Sequence, residues 1–313
     1  MSKQVTNTLL MIRPVKFELN EQTATNNYFQ THLPGLSSED IQAKALTEFD
    51  SFVEKLKSEG VQVIVIEDTK EPSTPDSIFP NNWNSSHENG QLFLYPMYAE
   101  NRRQERRPEI IEQLKHDFEI SEIIDLSYFE EKKQFLEGTG SMILDRPNKI
   151  IYAAISERTH PDVTNEFAEK MGYETVLFTA NQMVKGQRKP IYHTNVMMCV
   201  GEKFALFCEE SIDDLVERKR VNDSFVKTGK EIVTISEAQK DQFAGNMLQV
   251  ENQKGEQLIV MSKTAFDSLE EGQRLVLEKY GKLVYADINT IEVLGGGSAR
   301  CMMDEIYLSK KQE

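Results

Sequence analysis

The chain has 313 residues, with 36 Lys and Arg against 51 Asp and Glu, a formal net charge of −15. Hydrophobic residues at 39% and charged residues at 28% are the proportions of a folded globular protein and exclude a low-complexity or wholly disordered chain. So negative a molecule is repelled at long range by nucleic acid and by anionic membrane, which leaves a small molecule as the expected ligand.

In chain order, an apolar run TLLMIRPV leads to a helical stretch FDSFVEKLKSEG ending at Gly60, and then to the strand-like VQVIVIE. The same phrase returns four times. QLFLYP precedes IIEQLKHDFEI, where Phe118 stands in the glycine's place, and SEIIDL follows; KIIYAAI precedes NEFAEKMG to Gly172 and YETVLF. KFALFC precedes SFVKTG to Gly229 and KEIVTI; QLIVMS precedes QRLVLEKYG to Gly281 and KLVYADI. A glycine just past a helix fits the left-handed C′ position, so these residues are read as helix stops. The stops divide residues 1–313 into five strand–helix–strand units of about 55–60 residues, expected to form a single domain. No such unit can bury a sheet and a helix alone, so the expected α/β architecture is a ring with helices outside and strand ends converging. An open α/β sheet is the alternative.

Some 17–22 residues beyond each stop stand Asn82, Glu137, His193, Asn246 and Cys301. In a ring, equivalent positions face one another, so this phase would collect a nucleophile, a proton carrier and a carboxylate in one cavity. Each has a plain structural reading too. Cys301 reads as a buried small hydrophobe, His193 as a hydrogen-bonded core imidazole and Glu137 as a turn residue. Cys199 and Cys208 lie in apolar strand patterns and are read as core. Three scattered cysteines cannot make a disulfide framework or a four-ligand zinc site, and His32, His87, His116 and His160 lack metal-ligand spacing, so neither metal nor cofactor is expected. No apolar run approaches the roughly 18 residues of a membrane span, and the segment from Met1 to Val15 lacks a secretory pattern. The expectation is a cytoplasmic protein; self-association is left open. Gly295 to Ser298 lack the following Gly-Lys of a phosphate loop and are read as a flexible approach to Cys301. Arg102, Arg103, Arg106 and Arg107 are read as a solvated helix face.

The segments FPNNW, LEGTG, ISERT, YHTNVMM and GGGSARCMM resemble those of the amidinotransferase, or guanidine-modifying, superfamily with the pentein fold, which includes arginine deiminases and dimethylarginine dimethylaminohydrolases. The pattern is most similar to that of the citrulline-utilisation hydrolase branch. The resemblance implies a five-bladed α/β propeller with a central site in which Cys301 is the nucleophile, His193 the proton carrier and Glu137 the carboxylate. It further implies that Arg158 grips the carboxylate of an amino-acid substrate, with His160 in reserve as proton carrier. Where deiminases of the family carry aspartates against a cationic guanidinium, this sequence has Asn82 and Asn195. An amide cannot neutralise a cation but can donate and accept hydrogen bonds, so these positions point to a neutral ureido group such as that of citrulline. Rival readings are a deiminase, dimethylarginine hydrolase or amidinotransferase using guanidines, and a silent ring that binds an amino acid.

Overall fold

A computed structural model describes residues 2–311. The first unit runs β1 (Thr8–Arg13), α1 (Ser38–Ser58), β2 (Gln62–Glu67), and the second β3 (Asn84–Ser86), β4 (Gln91–Leu94), α2 (Pro108–Asp117), β5 (Glu122–Asp125). A single turn, α3 (Gly138–Ser141), opens the third, which continues β6 (Ile143–Asp145), β7 (Ile150–Ala154), α4 (Pro161–Met171), β8 (Glu174–Phe178). A hairpin, β9 (Asn181–Val184) and β10 (Gln187–Pro190), leads to the fourth: β11 (Met198–Val200), β12 (Phe204–Phe207), α5 (Leu215–Lys227), β13 (Glu231–Thr234). After α6 (Glu237–Lys240), the fifth holds β14 (Leu248–Glu251), β15 (Gln257–Ser262), α7 (Lys263–Ser268), α8 (Glu271–Glu278) and β16 (Lys282–Ala286). Next come α9 (Asn289–Gly295), α10 (Ala299–Met302) and β17 (Asp304–Glu305).

Four of the units form sheets on one plan: the first strand is antiparallel to the central strand, which is parallel to the third. The remaining sheet has the order β17-β1-β2, with Leu9 opposite Glu305 and Leu10 opposite Asp304. The far end of the chain thus supplies the missing first strand of unit one. Central strands are buried on both faces, as β7 and β12 are throughout, and correspondingly lack polar alternation.

The helices form for ordinary reasons. In α1, Ala45, Phe49, Phe52, Val53 and Leu56 fall on one buried stripe, and Ser37 with Asp40 closes a capping box at its start. Truncating a core side chain such as Phe52 to alanine would cost about 3–5 kcal/mol. Gly60 (φ 86°), Gly172 (φ 65°) and Gly229 (φ 70°) adopt the left-handed conformation expected of helix stops. Gly281 does not. It is glycine because a Cβ would come within 2.9 Å of the Gln257 carbonyl oxygen, where the chain enters β16 hard against β15. Among the described residues no helix is long and apolar enough to cross a membrane.

Candidate active site

The five residues that share a phase in the sequence share a place in the structure. Asn82 ends a 3₁₀ turn (Pro80–Asn82) just before β3, Glu137 is the N-cap of α3 before β6, and His193 is the N-cap of a turn (Thr194–Val196) before β11. Asn246 lies in the turn before β14, and Cys301 within α10 before β17. All five are buried.

His193 and Glu137 form the tightest pair, with Nε2 2.7 Å from Oε2. The Tyr98 amide donates to the other carboxylate oxygen at 3.0 Å, and Arg158 Nη1 and Arg102 Nη1 stand 3.5 and 3.9 Å from Oε2. Burial pushes the Glu137 pKa up, but the Arg158 charge, the His193 bond and Arg102 outweigh it and hold the carboxyl well below its usual range. Burial lowers the pKa of His193 to about 4, because Arg158 and Arg102 offset part of the help it gets from Glu137. The pair is therefore an ionised carboxylate and a neutral imidazole. Since a carboxylate only accepts, the imidazole proton sits on Nε2 and the Nδ1 lone pair stays open. Nδ1 faces Gly140, where a Cβ would lie 2.8 Å from that nitrogen and 2.5 Å from Asn82 Nδ2.

Around Cys301 the groups are amides. Asn246 Nδ2 donates to Sγ at 3.2 Å and Asn195 Nδ2 at 3.3 Å, an arrangement that solvates a thiolate without a fixed cation. Asn246 Oδ1 accepts from the Arg300 amide at 2.9 Å and its Nδ2 donates to the Asn195 carbonyl at 3.0 Å, and these two bonds fix which end of this side chain faces the sulfur. Among the described residues Asn195 Oδ1 is buried without a partner, an acceptor still unused. Among the described residues no hydrogen bond joins His193 directly to Cys301, although His193 and Asn195 belong to one turn.

Four sequence readings change. Arg158 was expected to grip a substrate carboxylate, yet its fork is occupied: Nε and Nη2 donate to Asn26 Oδ1, Nη2 also to the Thr23 carbonyl, and Nη1 faces Glu137. Its guanidinium lies between the rings of Tyr98 and Tyr192. His160 is half-buried at the N-cap of α4, where its ring accepts from the Asp162 amide, away from the site. The arginine cluster is no solvated face. Arg102 is 2% exposed, held bidentate by Glu105 at 2.8 and 2.9 Å, and donates to Asn82 Oδ1 at 2.8 Å, while Arg106 pairs with Glu130 and Arg107 bonds the Glu67 carbonyl. Nor is the glycine run flexible. Gly295 and Gly297 pack on the Phe79 ring, and Gly296, left-handed at φ 62°, caps α9 while its carbonyl accepts from Tyr192 Oη.

Sequence reasoning missed Arg102, Asp76 and the segment around Thr23–Gln30. Asp76 is buried, accepts from Asn20 Nδ2 and Thr23 Oγ1 through one oxygen, and among the described residues leaves the other without a partner. Asn27 donates to the Gly295 and Gly296 carbonyls and Gln30 to that of Leu294, so this segment covers the site and satisfies the last carbonyls of α9. The Arg102–Glu105 spacing was the available signal for a paired rather than solvated arginine. Among the described residues no group of three or more His, Cys, Asp or Glu could hold a metal ion.

Glu137, His193 and Cys301 are gathered from the turns ahead of the third, the fourth and the β17-β1-β2 sheets, and with the family match over residues 13–308 they place the chain in the guanidine-modifying, or amidinotransferase, superfamily of pentein fold, whose hydrolases cleave C–N bonds. The family described as N,N dimethylarginine dimethylhydrolase, eukaryotic, matches residues 13–308, and the chain belongs to it. No curated protein matches the chain. Among solved structures, ArgZ, an arginine dihydrolase from the ornithine-ammonia cycle in Cyanobacteria, superposes with a TM-score of 0.73 at 16% identity, over 96% of this chain and 40% of that one. The chain thus spans about two fifths of that full-length protein. The N-terminal domain of ArgZ bound to substrate gives 0.71 at 17% identity, over 96% of this chain and 99% of that one. A dimethylarginine dimethylaminohydrolase adduct with S-methyl-L-thiocitrulline gives 0.64 at 14% identity, over 98% and 100%. At these identities the likeness is one of mixed α/β fold.

Proposed function

We propose that this enzyme hydrolyses the ureido group of a citrulline-like amino acid through a covalent intermediate on Cys301. The observation that carries the reading is the pair of amides aimed at Sγ, Asn195 and Asn246, with a third amide, Asn82, across Gly140 from His193. Two of the carboxylates nearby already have cationic partners, Glu137 facing Arg158 and Glu105 facing Arg102, which reduces the countercharge a guanidinium entering here would find. A neutral urea loses less on leaving water and meets the unused acceptor of Asn195.

In this reading Cys301 gives up its proton to Nδ1 of His193 and the thiolate attacks the ureido carbon; a C–S bond forms, and one C–N bond breaks as the leaving nitrogen takes that proton from the imidazolium, leaving Nδ1 open again. His193, with Nδ1 open, then takes a proton from water. The hydroxide attacks the same carbon and the C–S bond breaks, returning the thiolate. Glu137 fixes the tautomer and orientation of His193, and Asn82, Asn195 and Asn246 bind the substrate. Arg158 supports Glu137 and reaches a substrate carboxylate only by leaving Asn26. We also infer that the five sheets stand as the blades of a propeller around this centre, so that residues 1–313 act as one catalytic domain. Three unpaired cysteines accord with a reducing, cytoplasmic setting.

One observation favours the rival reading, an arginine or dimethylarginine hydrolase. The second oxygen of Asp76 is buried and unpartnered, and could face a cation. Incubation with citrulline, arginine, methylated arginines and agmatine, with ammonia, ornithine and citrulline measured, decides between them. Citrulline should be consumed with ornithine formed, and Cys301→Ser should be inert. Asn82→Asp/Asn195→Asp should move the citrulline-to-arginine ratio of kcat/KM toward arginine. A wild type that converts arginine and ignores citrulline overturns the charge argument.

A further inference from the structure

Outside the residues given roles above, Glu292 is an unusual buried acid. It is 2% exposed and, among the described residues, forms no ion pair. Its oxygens take hydroxyl hydrogens instead, from Ser298 Oγ at 2.6 Å and Thr264 Oγ1 at 2.7 Å. A carboxyl buried without a cation is costly, which calls for a reason.

The reason lies in what Ser298 is prevented from doing. Ser298 is the N-cap of α10, the turn that carries Cys301, and an N-cap serine ordinarily turns its oxygen onto the amide of the second or third helical residue. Those residues are Arg300 and Cys301. Here the hydroxyl makes no such cap, because it is drawn to Glu292. Cys301 N donates to the Ser298 carbonyl at 2.9 Å, and Arg300 N remains free to donate to Asn246 Oδ1. That bond acts together with the one Asn246 Nδ2 donates to the Asn195 carbonyl at 3.0 Å, and between them they orient the amide so that its Nδ2, not its oxygen, meets Sγ.

We propose that Glu292 is a positioning residue for the nucleophile: by holding Ser298 Oγ away from α10 it reserves the Arg300 amide for Asn246, and so sets the amide that faces Cys301. The role rests on Cys301 being the nucleophile, but not on which substrate is used.

The test reads Cys301 directly, through its rate of alkylation by iodoacetamide, with Cys301→Ser as the labelling control, alongside kcat and KM. Glu292→Leu frees the Ser298 hydroxyl to cap α10; alkylation and kcat should fall about tenfold or more, with KM changed far less. Glu292→Gln keeps an acceptor for Ser298 and should stay within a few-fold of wild type. The discriminating variant is Glu292→Leu/Ser298→Ala, which lacks the competing hydroxyl and should recover most of the alkylation rate, a rescue that simple damage to packing cannot give. Ser298→Ala alone should alkylate near the wild-type rate, which keeps the proposal testable if Glu292→Leu does not fold. A double variant as slow as Glu292→Leu, or a Ser298→Ala as impaired as Glu292→Leu, overturns it. Intact alkylation behaviour with no turnover of citrulline would sink the substrate assignment and leave this one standing.

Discussion

Glu137 and His193 share one hydrogen bond, yet the site treats them oppositely, holding the acid charged and the imidazole neutral. The consequence is measurable as acid lability. His193 titrates at about 4 in the folded protein and at about 6.5 when unfolded. Between those values only the unfolded chain binds the proton, so stability rises with pH there and is lost as pH falls from about 6.5 to about 4. Glu137 acts in the same direction lower down: its contribution is complete above its unfolded value and is lost as pH falls beneath it. His193→Gln removes the histidine part, so between pH 7 and pH 4 its denaturant midpoint should fall less steeply than that of wild type. Parallel slopes would show that His193 is not held neutral in the fold.

At the scale of elements, the short turn ahead of each sheet was legible, and the reason is periodicity. Asn82, Glu137, His193, Asn246 and Cys301 keep a common distance from a helix stop because each turn must feed the same first strand. What lay outside the repeat was not legible. Arg102 comes from a short 3₁₀ turn (Asn101–Glu105) outside the repeat, Asp76 from a loop, and Thr23 to Gln30 from a covering segment, and none of these has a register that marks which side chains point inward. Arg158 was legible as a site residue but not in its bonding, since its partner Asn26 sits 132 positions away. The glycines divide similarly, Gly172 for its backbone angle and Gly140 for what surrounds it. Gly140→Ala places a methyl group against both Asn82 and His193, so we expect turnover to collapse and stability to drop by about 1–3 kcal/mol. Gly272→Ala, in α8 with open space around it, should instead stabilise slightly. Thermal melts and kcat on the two variants check the contrast.

For the molecule as a whole, the telling feature is the sheet β17-β1-β2, in which residues 304–305 complete a sheet begun at residue 8. Beyond it, Ile306 and Leu308 enter the core beside Leu10 and Trp83, and Tyr307 Oη donates to the Gln4 carbonyl at 2.7 Å. A chain ended after Met303 keeps every proposed catalytic residue and loses all of these contacts. Circular dichroism and an activity assay should find it unfolded and inert; a folded, active truncation would show that the seam is dispensable. The same seam governs how the enzyme is born. At about 5–20 residues per second, the roughly 290 residues between Leu10 and Asp304 leave the edge of β1 unpaired for about 15–60 s on the ribosome. An open edge of that kind invites pairing with other chains, which makes nascent-chain protection a practical need during expression. Cys301 emerges only three residues before the strand that seals the sheet, so the proposed nucleophile arrives together with closure. Translation products cut short anywhere upstream therefore carry no thiol at the centre, and a stalled ribosome releases no partial activity.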